Sequence, residues 1–174
     1  PQARQVWNEL ITFLNPLPYC TAADMHQDER MIYLRGGEDG QWGLIEVKSA
    51  HLVDGLQTTG LDFLWMQESQ DIADTAFEKV LPATRSPGRS GYAVFEGIPS
   101  MYSSHWFERT FRAAQDGREN YEAWNYSAFD NPLLHEPDNA WILAEIEADK
   151  EILPERAWRR MYLAEFNEDA GYFS

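Results

Sequence analysis

The sequence predicts an α/β fold in which helices flank a mainly parallel sheet. Two short apolar runs, Leu61-Asp-Phe-Leu-Trp-Met66 and Tyr92-Ala-Val-Phe95, have strand length and are bounded by turn-forming segments, as expected of strands buried on both faces. A helix-like stretch lies between them, which suits a parallel crossover. Further stretches of helical period stand before and after the pair.

Taken in order, Arg4 to Leu14 places Val6, Trp7, Leu10, Ile11, Phe13 and Leu14 at helical spacing, and Pro16 and Pro18 end that helix. Arg30 to Arg35 and Gln41 to Lys48 read as extended runs. The turn-rich Gly36-Gly-Glu-Asp-Gly40 between them predicts a hairpin. After Leu61 to Met66, Asp71 to Leu81 reads as a helix stopped by Pro82, and Arg85 to Gly91 is a loop by composition. His105 to Gln115 carries Trp106, Phe107, Thr110, Phe111 and Ala114 on one face, and Gly117 stops it. Tyr121 to Tyr126 alternates aromatic and polar residues, which predicts a third strand. Two helices follow: Asp138 to Lys150, with Asp138 as N-cap and Trp141, Ile142 and Ile146 inward, and Pro154 to Phe166, with Pro154 at the first helical position. No repeat or linker divides the chain, so residues 1–174 read as a single domain.

Composition narrows the function. A 174-residue chain can bury roughly 70% of its unfolded surface, and 44% hydrophobic residues with seven Trp point to a globular core. Twenty-nine acidic against fourteen basic residues give a net charge of −15, which repels nucleic acid and anionic membrane at long range unless basic residues cluster locally. No run approaches the roughly 20 apolar residues of a membrane span, and the N-terminus lacks a signal-peptide layout, so a soluble chain with no membrane partner is expected. Cys20 is the sole cysteine, which excludes an intrachain disulfide and a cysteine-based zinc site.

The four histidines, His26, His51, His105 and His135, have no metalloprotease spacing and read as loop or surface residues. There is no Gly-x-Ser-x-Gly elbow and no base near Cys20, so a nucleophilic triad is unsupported. Glu38 and Asp39 with Trp42 nearby form the pattern of a carbohydrate site, although such a pair more commonly solvates a turn. The informative stretch is the apolar strand ending in Gln67-Glu68-Ser69-Gln70. Nucleoside triphosphatases use a strand end of this kind to orient an attacking water. Tyr92 to Ser100 is a second apolar strand with a small-residue end, Gly97-Ile98-Pro99, and its distance from Glu68 admits one helix between neighbouring strands.

From Gly91 through Trp106-Phe107, Asp130-Asn131-Pro132-Leu133 and Trp158-Arg-Arg-Met-Tyr-Leu-Ala-Glu-Phe166, the chain resembles the large terminase subunit of tailed bacteriophages. The resemblance covers about residues 28 to 174, and its last part is the most specific. It implies a RecA-like, P-loop NTPase-type ATPase domain, N-terminally incomplete, with this chain as its C-terminal two-thirds and the nuclease domain absent. It also implies ATP and magnesium as cofactors, and a motor that couples hydrolysis to translocation of double-stranded DNA into a capsid. Portal protein, small terminase subunit and a homo-oligomeric ring are the implied partners, and the cytoplasm of a phage-infected host the implied location. Leu61 to Gln70 falls on the Walker B segment, with Glu68 on the catalytic glutamate and Gln67 on the magnesium-supporting aspartate. Gly97, Ile98 and Pro99 fall on the motif that links γ-phosphate state to motion, with Ile98 in place of the usual hydroxyl residue.

Three departures bear on turnover. No Gly-x-x-x-x-Gly-Lys-[Ser/Thr] occurs in the sequence, and because the chain begins at Pro1 such a loop is expected upstream. A neutral Gln67 does not compensate a divalent ion. Leu56-Gln57-Thr58 aligns with a Leu-Arg-Gly whose arginine serves as a finger, leaving Arg35, Arg85 or Arg89 as substitutes. The chain by itself is therefore not expected to turn over ATP. The alternative is a catalytically degenerate terminase-like domain that acts as an interaction module. DNA contact, if made, is expected around Arg85 and Arg89 or around Arg156, Arg159 and Arg160.

Overall fold

The computed structural model describes residues 2–18, 20, 24–36, 43–51, 60–88 and 90–166. The chain forms two compact units, Pro1–Gln57 and Thr58–Ser174.

In the first unit, helix α1 (Gln2–Leu14) turns Trp7 and Leu14 inward, at 2% and 8% exposure, because the apolar positions recur with helical period. They pack with Cys20 and Ile32, flanked by Leu10, Ile11, Met25 and Ile45. Strands β1 (Met25–His26), β2 (Met31–Leu34) and β3 (Gly43–Glu46) form an antiparallel sheet in the order β1-β2-β3. The register Ile32 to Ile45 and Leu34 to Gly43 sets one face on the core, while Leu44, opposite Tyr33, is exposed. The predicted hairpin strands thus pair, with a short third strand added. Glu38, Asp39 and Trp42, the carbohydrate candidates, lie outside the described residues.

In the second unit, β4 (Phe63–Met66) and β5 (Tyr92–Phe95) pair in parallel, with Phe63 opposite Tyr92 and Met66 opposite Phe95. Gly91 is required at the entry to β5, because a Cβ there would stand 2.3 Å from the Leu61 carbonyl oxygen. Helix α2 (Asp74–Val80) connects the strands, preceded by a 3-10 turn over Ser69–Asp71 and followed by another over Leu81–Thr84. The predicted helix from Asp71 therefore begins three residues later, with Ala73 extended as its N-cap.

Among the described residues the parallel sheet is two strands wide, so the predicted mainly parallel sheet is present only as this pair. Nor are its strands buried on both faces. Period-2 alternation puts Phe63, Trp65, Tyr92 and Val94 on one face, where they are exposed by 57, 47, 75 and 44%. The other face packs through Phe95 against α2 and α3 (Trp106–Gln115). Trp106, 1% exposed, is the hub: Phe77 stacks on it at 4.2 Å and Phe95 meets it edge-on at 5.2 Å.

Tyr121 to Tyr126 forms no strand and joins no sheet among the described residues. Its fixed points are side-chain contacts: Arg118 over the Tyr121 ring at 4.5 Å, and Asn125 Nδ2 donating to the Ala164 carbonyl at 2.8 Å. Helix α4 (Ala140–Ala148) starts after a 3-10 turn over Pro137–Asn139 that contains Asp138, so Asn139 rather than Asp138 occupies the N-cap. Its inward stripe is Ile142, Leu143 and Ile146. Trp141, five residues before Ile146, points roughly 140° away from it at 100° per residue and is 64% exposed, contrary to expectation. Helix α5 (Glu155–Tyr162) has Pro154 as N-cap and ends before the predicted Phe166, because Ala164 takes a left-handed φ of 52°. Trp158 Nε1 donates to the Ile146 carbonyl at 2.7 Å and joins the last two helices.

Candidate active site at the ends of the parallel strands

The site is built by backbone pairing that continues past β4. Glu96 N donates to the Met66 carbonyl at 3.0 Å, and Ser69 N donates to the Glu96 carbonyl at 2.8 Å. The buried Ser69 hydroxyl also donates to Met66 O at 2.9 Å. Residues 66 and 69 are thus both tied to the end of β5, and Gln67 and Glu68 are carried out between them into solvent. Glu68 closes this tight turn at φ 53°, ψ 47°, a left-handed conformation that costs a non-glycine residue about 1–2 kcal/mol.

The Glu68 carboxylate is held from its own turn. Gln70 Nε2 donates to Glu68 Oε2 at 2.7 Å, and its contact with Asp71 Oδ2 is longer, at 3.4 Å. Gln70 lies directly against Gly97, where an added Cβ would fall 2.1 Å from Gln70 Oε1 and 3.0 Å from Ser69 N. Gln67, Glu68 and Gly97, proposed from the sequence, are therefore gathered at adjacent strand ends. Ile98 and Pro99 turn inward, with Ile98 half-buried and Pro99 fully buried. The Pro99 carbonyl accepts from Arg160 Nη1 of α5 at 3.0 Å.

The sequence assigns no role to Ser69, Gln70 or Glu96, and it offers Arg160 only as part of a DNA-contact cluster with Arg156 and Arg159. For Gln70 a signal exists, since it closes the Gln67-Glu68-Ser69-Gln70 segment at the end of β4. The Arg160 contact spans 61 residues and has no local signature.

Other candidates resolve into structural roles. His105 caps α3: Nδ1 accepts from Phe107 N at 3.3 Å, so the Nε2 proton is the one directed at the Ile72 carbonyl, 3.0 Å away. Arg159 pairs with Glu165 through contacts of 2.6 and 2.9 Å, which also raise its pKa. With Arg160 engaged at Pro99, Arg159 and Arg160 both have partners within the chain. Arg85 is exposed, and Arg89 and Leu56-Gln57-Thr58 lie outside the described residues. A cleft lined by Phe129, Glu147, Lys150, Trp158 and Arg159 contains none of the strand-end residues, and its cations already face Glu147 and Glu165. Among the described residues no cluster of three or more His, Cys, Asp or Glu has the arrangement of a metal site.

No protein-family profile and no curated protein matches the sequence. Among solved structures, the large terminase ATPase domain of Thermus phage P74-26 is similar at a TM-score of 0.66 and 17% identity, over 95% of this chain and 72% of that one. An arginine-to-alanine variant of the same domain is similar at 0.68 and 17% identity, over 95% and 73%. The chain shares the fold of a phage large terminase ATPase domain. The resemblance read from the sequence is thereby borne out at the level of fold. Within this terminase ATPase fold, β4 and β5 are the adjacent parallel strands whose ends carry Glu68 and Gly97. No helix among the described residues is long and apolar enough to cross a membrane.

Proposed function

We propose that the chain is part of the ATPase of a viral DNA-packaging motor, a large terminase subunit that couples ATP hydrolysis to DNA translocation into a capsid. The observation that carries this reading is Glu68. An exposed carboxylate stands in a left-handed turn at the end of a parallel strand, beside the end of its neighbour, in a chain with a terminase ATPase fold. Gln70 occupies Oε2, which leaves Oε1 to accept the hydrogen bond of a water and draw its proton as the oxygen attacks a γ-phosphate. In the same reading, the Gly97-Ile98-Pro99 turn responds to the phosphate, and buried Pro99 passes displacement to α5 through Arg160.

The residues fit a nucleotide site in part. They supply the water-orienting side, whereas the sequence holds no Gly-rich Lys loop, and the neutral Gln67, with no metal-type cluster of acidic residues among the described residues, does not make a magnesium site. No step is therefore assigned to the ion. Double-stranded DNA, portal protein, small terminase subunit, a ring of like subunits and the host cytoplasm belong to this proposal through the fold.

A second reading, an interaction module without turnover, is favoured by Gln67 at the position of a metal-supporting aspartate. Phosphate release by a longer chain that carries a Gly-rich Lys loop ahead of these residues, with and without Glu68→Gln, separates the two. The motor reading expects a fall of about 10²-fold to 10⁴-fold, and unchanged turnover overturns it. Absence of both turnover and calorimetric ATP binding supports the interaction module.

A further inference from the structure

We infer that Gln70 is a positioning residue that fixes the Glu68 carboxylate and ties it to the Gly97 turn of the neighbouring strand. The inference rests on the reading of Glu68 as the water-orienting carboxylate. Gln70 Oε1 is buried and has no hydrogen-bond partner among the described residues, whereas Nε2 faces Glu68 Oε2 at 2.7 Å and Asp71 Oδ2 at 3.4 Å. The reverse amide orientation would set Oε1 against those two carboxylates, so charge fixes the amide as it stands. The fold thus leaves a carbonyl oxygen without a donor in order to aim an NH2 group at Glu68.

The same amide explains Gly97. Any side chain there would drive a Cβ to 2.1 Å from Oε1 and 3.3 Å from Cδ, dislodging the amide from Glu68. Gln70 therefore lies between two strand ends that also share the backbone bonds at Glu96. A displacement of the Gly97 turn toward β4 rotates the amide and releases Oε2. Retraction of the turn lets the amide return. Glu68 alone, on a turn exposed to solvent, has no other side chain within this set of contacts to select its rotamer.

Two measurements test this, and the first needs no turnover. In side-chain amide NMR spectra of the chain, the Gln70 NH2 resonance is expected to shift on Glu68→Ala and again on Gly97→Ala. Indifference to both substitutions overturns the inference. In phosphate-release assays on the longer chain that carries the Gly-rich Lys loop, Gln70→Ala and the shortened Gln70→Asn are expected to lower kcat by about 10-fold to 100-fold with KM within twofold, as for a misplaced catalytic group. Gly97→Ala should match them and add nothing further in a Gln70→Ala background. If Glu68→Gln abolishes turnover while Gln70→Ala and Gln70→Asn leave kcat unchanged, the positioning role is wrong. If Glu68→Gln itself leaves kcat unchanged, the catalytic reading of Glu68 is what fails.

Discussion

Trp106→Phe and His105→Ala together test how the turn after β4 is anchored. The Ile72 carbonyl, one residue past the 3-10 turn that carries Gln70, accepts from Trp106 Nε1 at 2.6 Å and from His105 Nε2 at 3.0 Å. Losing the indole donor alone leaves that oxygen satisfied, so the hydrogen-bond cost is about 0.5–1.5 kcal/mol. The smaller ring also leaves roughly 40 Å³ empty, worth about 1 kcal/mol at about 24 cal/mol per Å³. Much of the stacking on Phe77, at 4.2 Å and 10°, survives. Trp106→Phe should therefore cost about 2 kcal/mol, against about 3–5 kcal/mol for Trp106→Ala. His105→Ala removes the N-cap acceptor of Phe107 N and should cost about 1 kcal/mol. In the double variant the Ile72 oxygen loses both donors, and the loss should exceed the sum of the singles by about 1 kcal/mol or more. Urea unfolding followed by near-ultraviolet circular dichroism reads these differences. Additivity within about 0.5 kcal/mol would refute the shared-acceptor argument.

Three further outcomes follow from the same contacts. Arg112→Ala should destabilise the chain by about 1–3 kcal/mol in urea, a value kept below that of a fully buried pair because Arg112 is half-exposed. The fully buried Glu108, whose Oε2 already lacks a partner, would lose its bonds of 2.8 and 3.1 Å. Tyr162 donates to Asp149 Oδ2 at 2.5 Å, and this bond, then burial, then the Asp149 charge raise its phenol above the ordinary value of 10. The native state keeps that proton longer than the unfolded one, so the contribution is present below the ordinary phenol pKa and falls as pH rises through the folded one; in melts above pH 10 Tyr162→Phe should remove this slope. Asp130 runs the other way: the Ser127 hydroxyl and amide lower its pKa, so its contribution is present above the ordinary carboxylate value of 3.8 and lost as pH falls below it, a dependence that Ser127→Ala should weaken in acid melts.

The sequence by itself determined the local alphabet of this protein. Apolar runs of strand length, helical spacing and proline stops located α1, β4, α2, β5 and α3 to within a few residues, because those signals act over one or two turns of chain. Residue type at the end of β4 singled out Glu68, and the small residues after β5 singled out Gly97. What it did not determine depends on neighbours remote in sequence. Trp141 and Ile146 lie on different sides of α4, and which side is buried is decided by the remote Trp158, which packs on Ile146 and leaves Trp141 exposed. Tyr121 to Tyr126 alternates like a strand but joins no sheet among the described residues, since a strand exists only when a partner supplies the ladder. The exposed face of β4 and β5 likewise depends on which side the helices cover. Tertiary structure alone set Gln70 between Glu68 and Gly97 and brought Arg160 to the Pro99 carbonyl, for a hydrogen bond needs two groups within about 3 Å and sequence spacing across tens of residues carries no such distance.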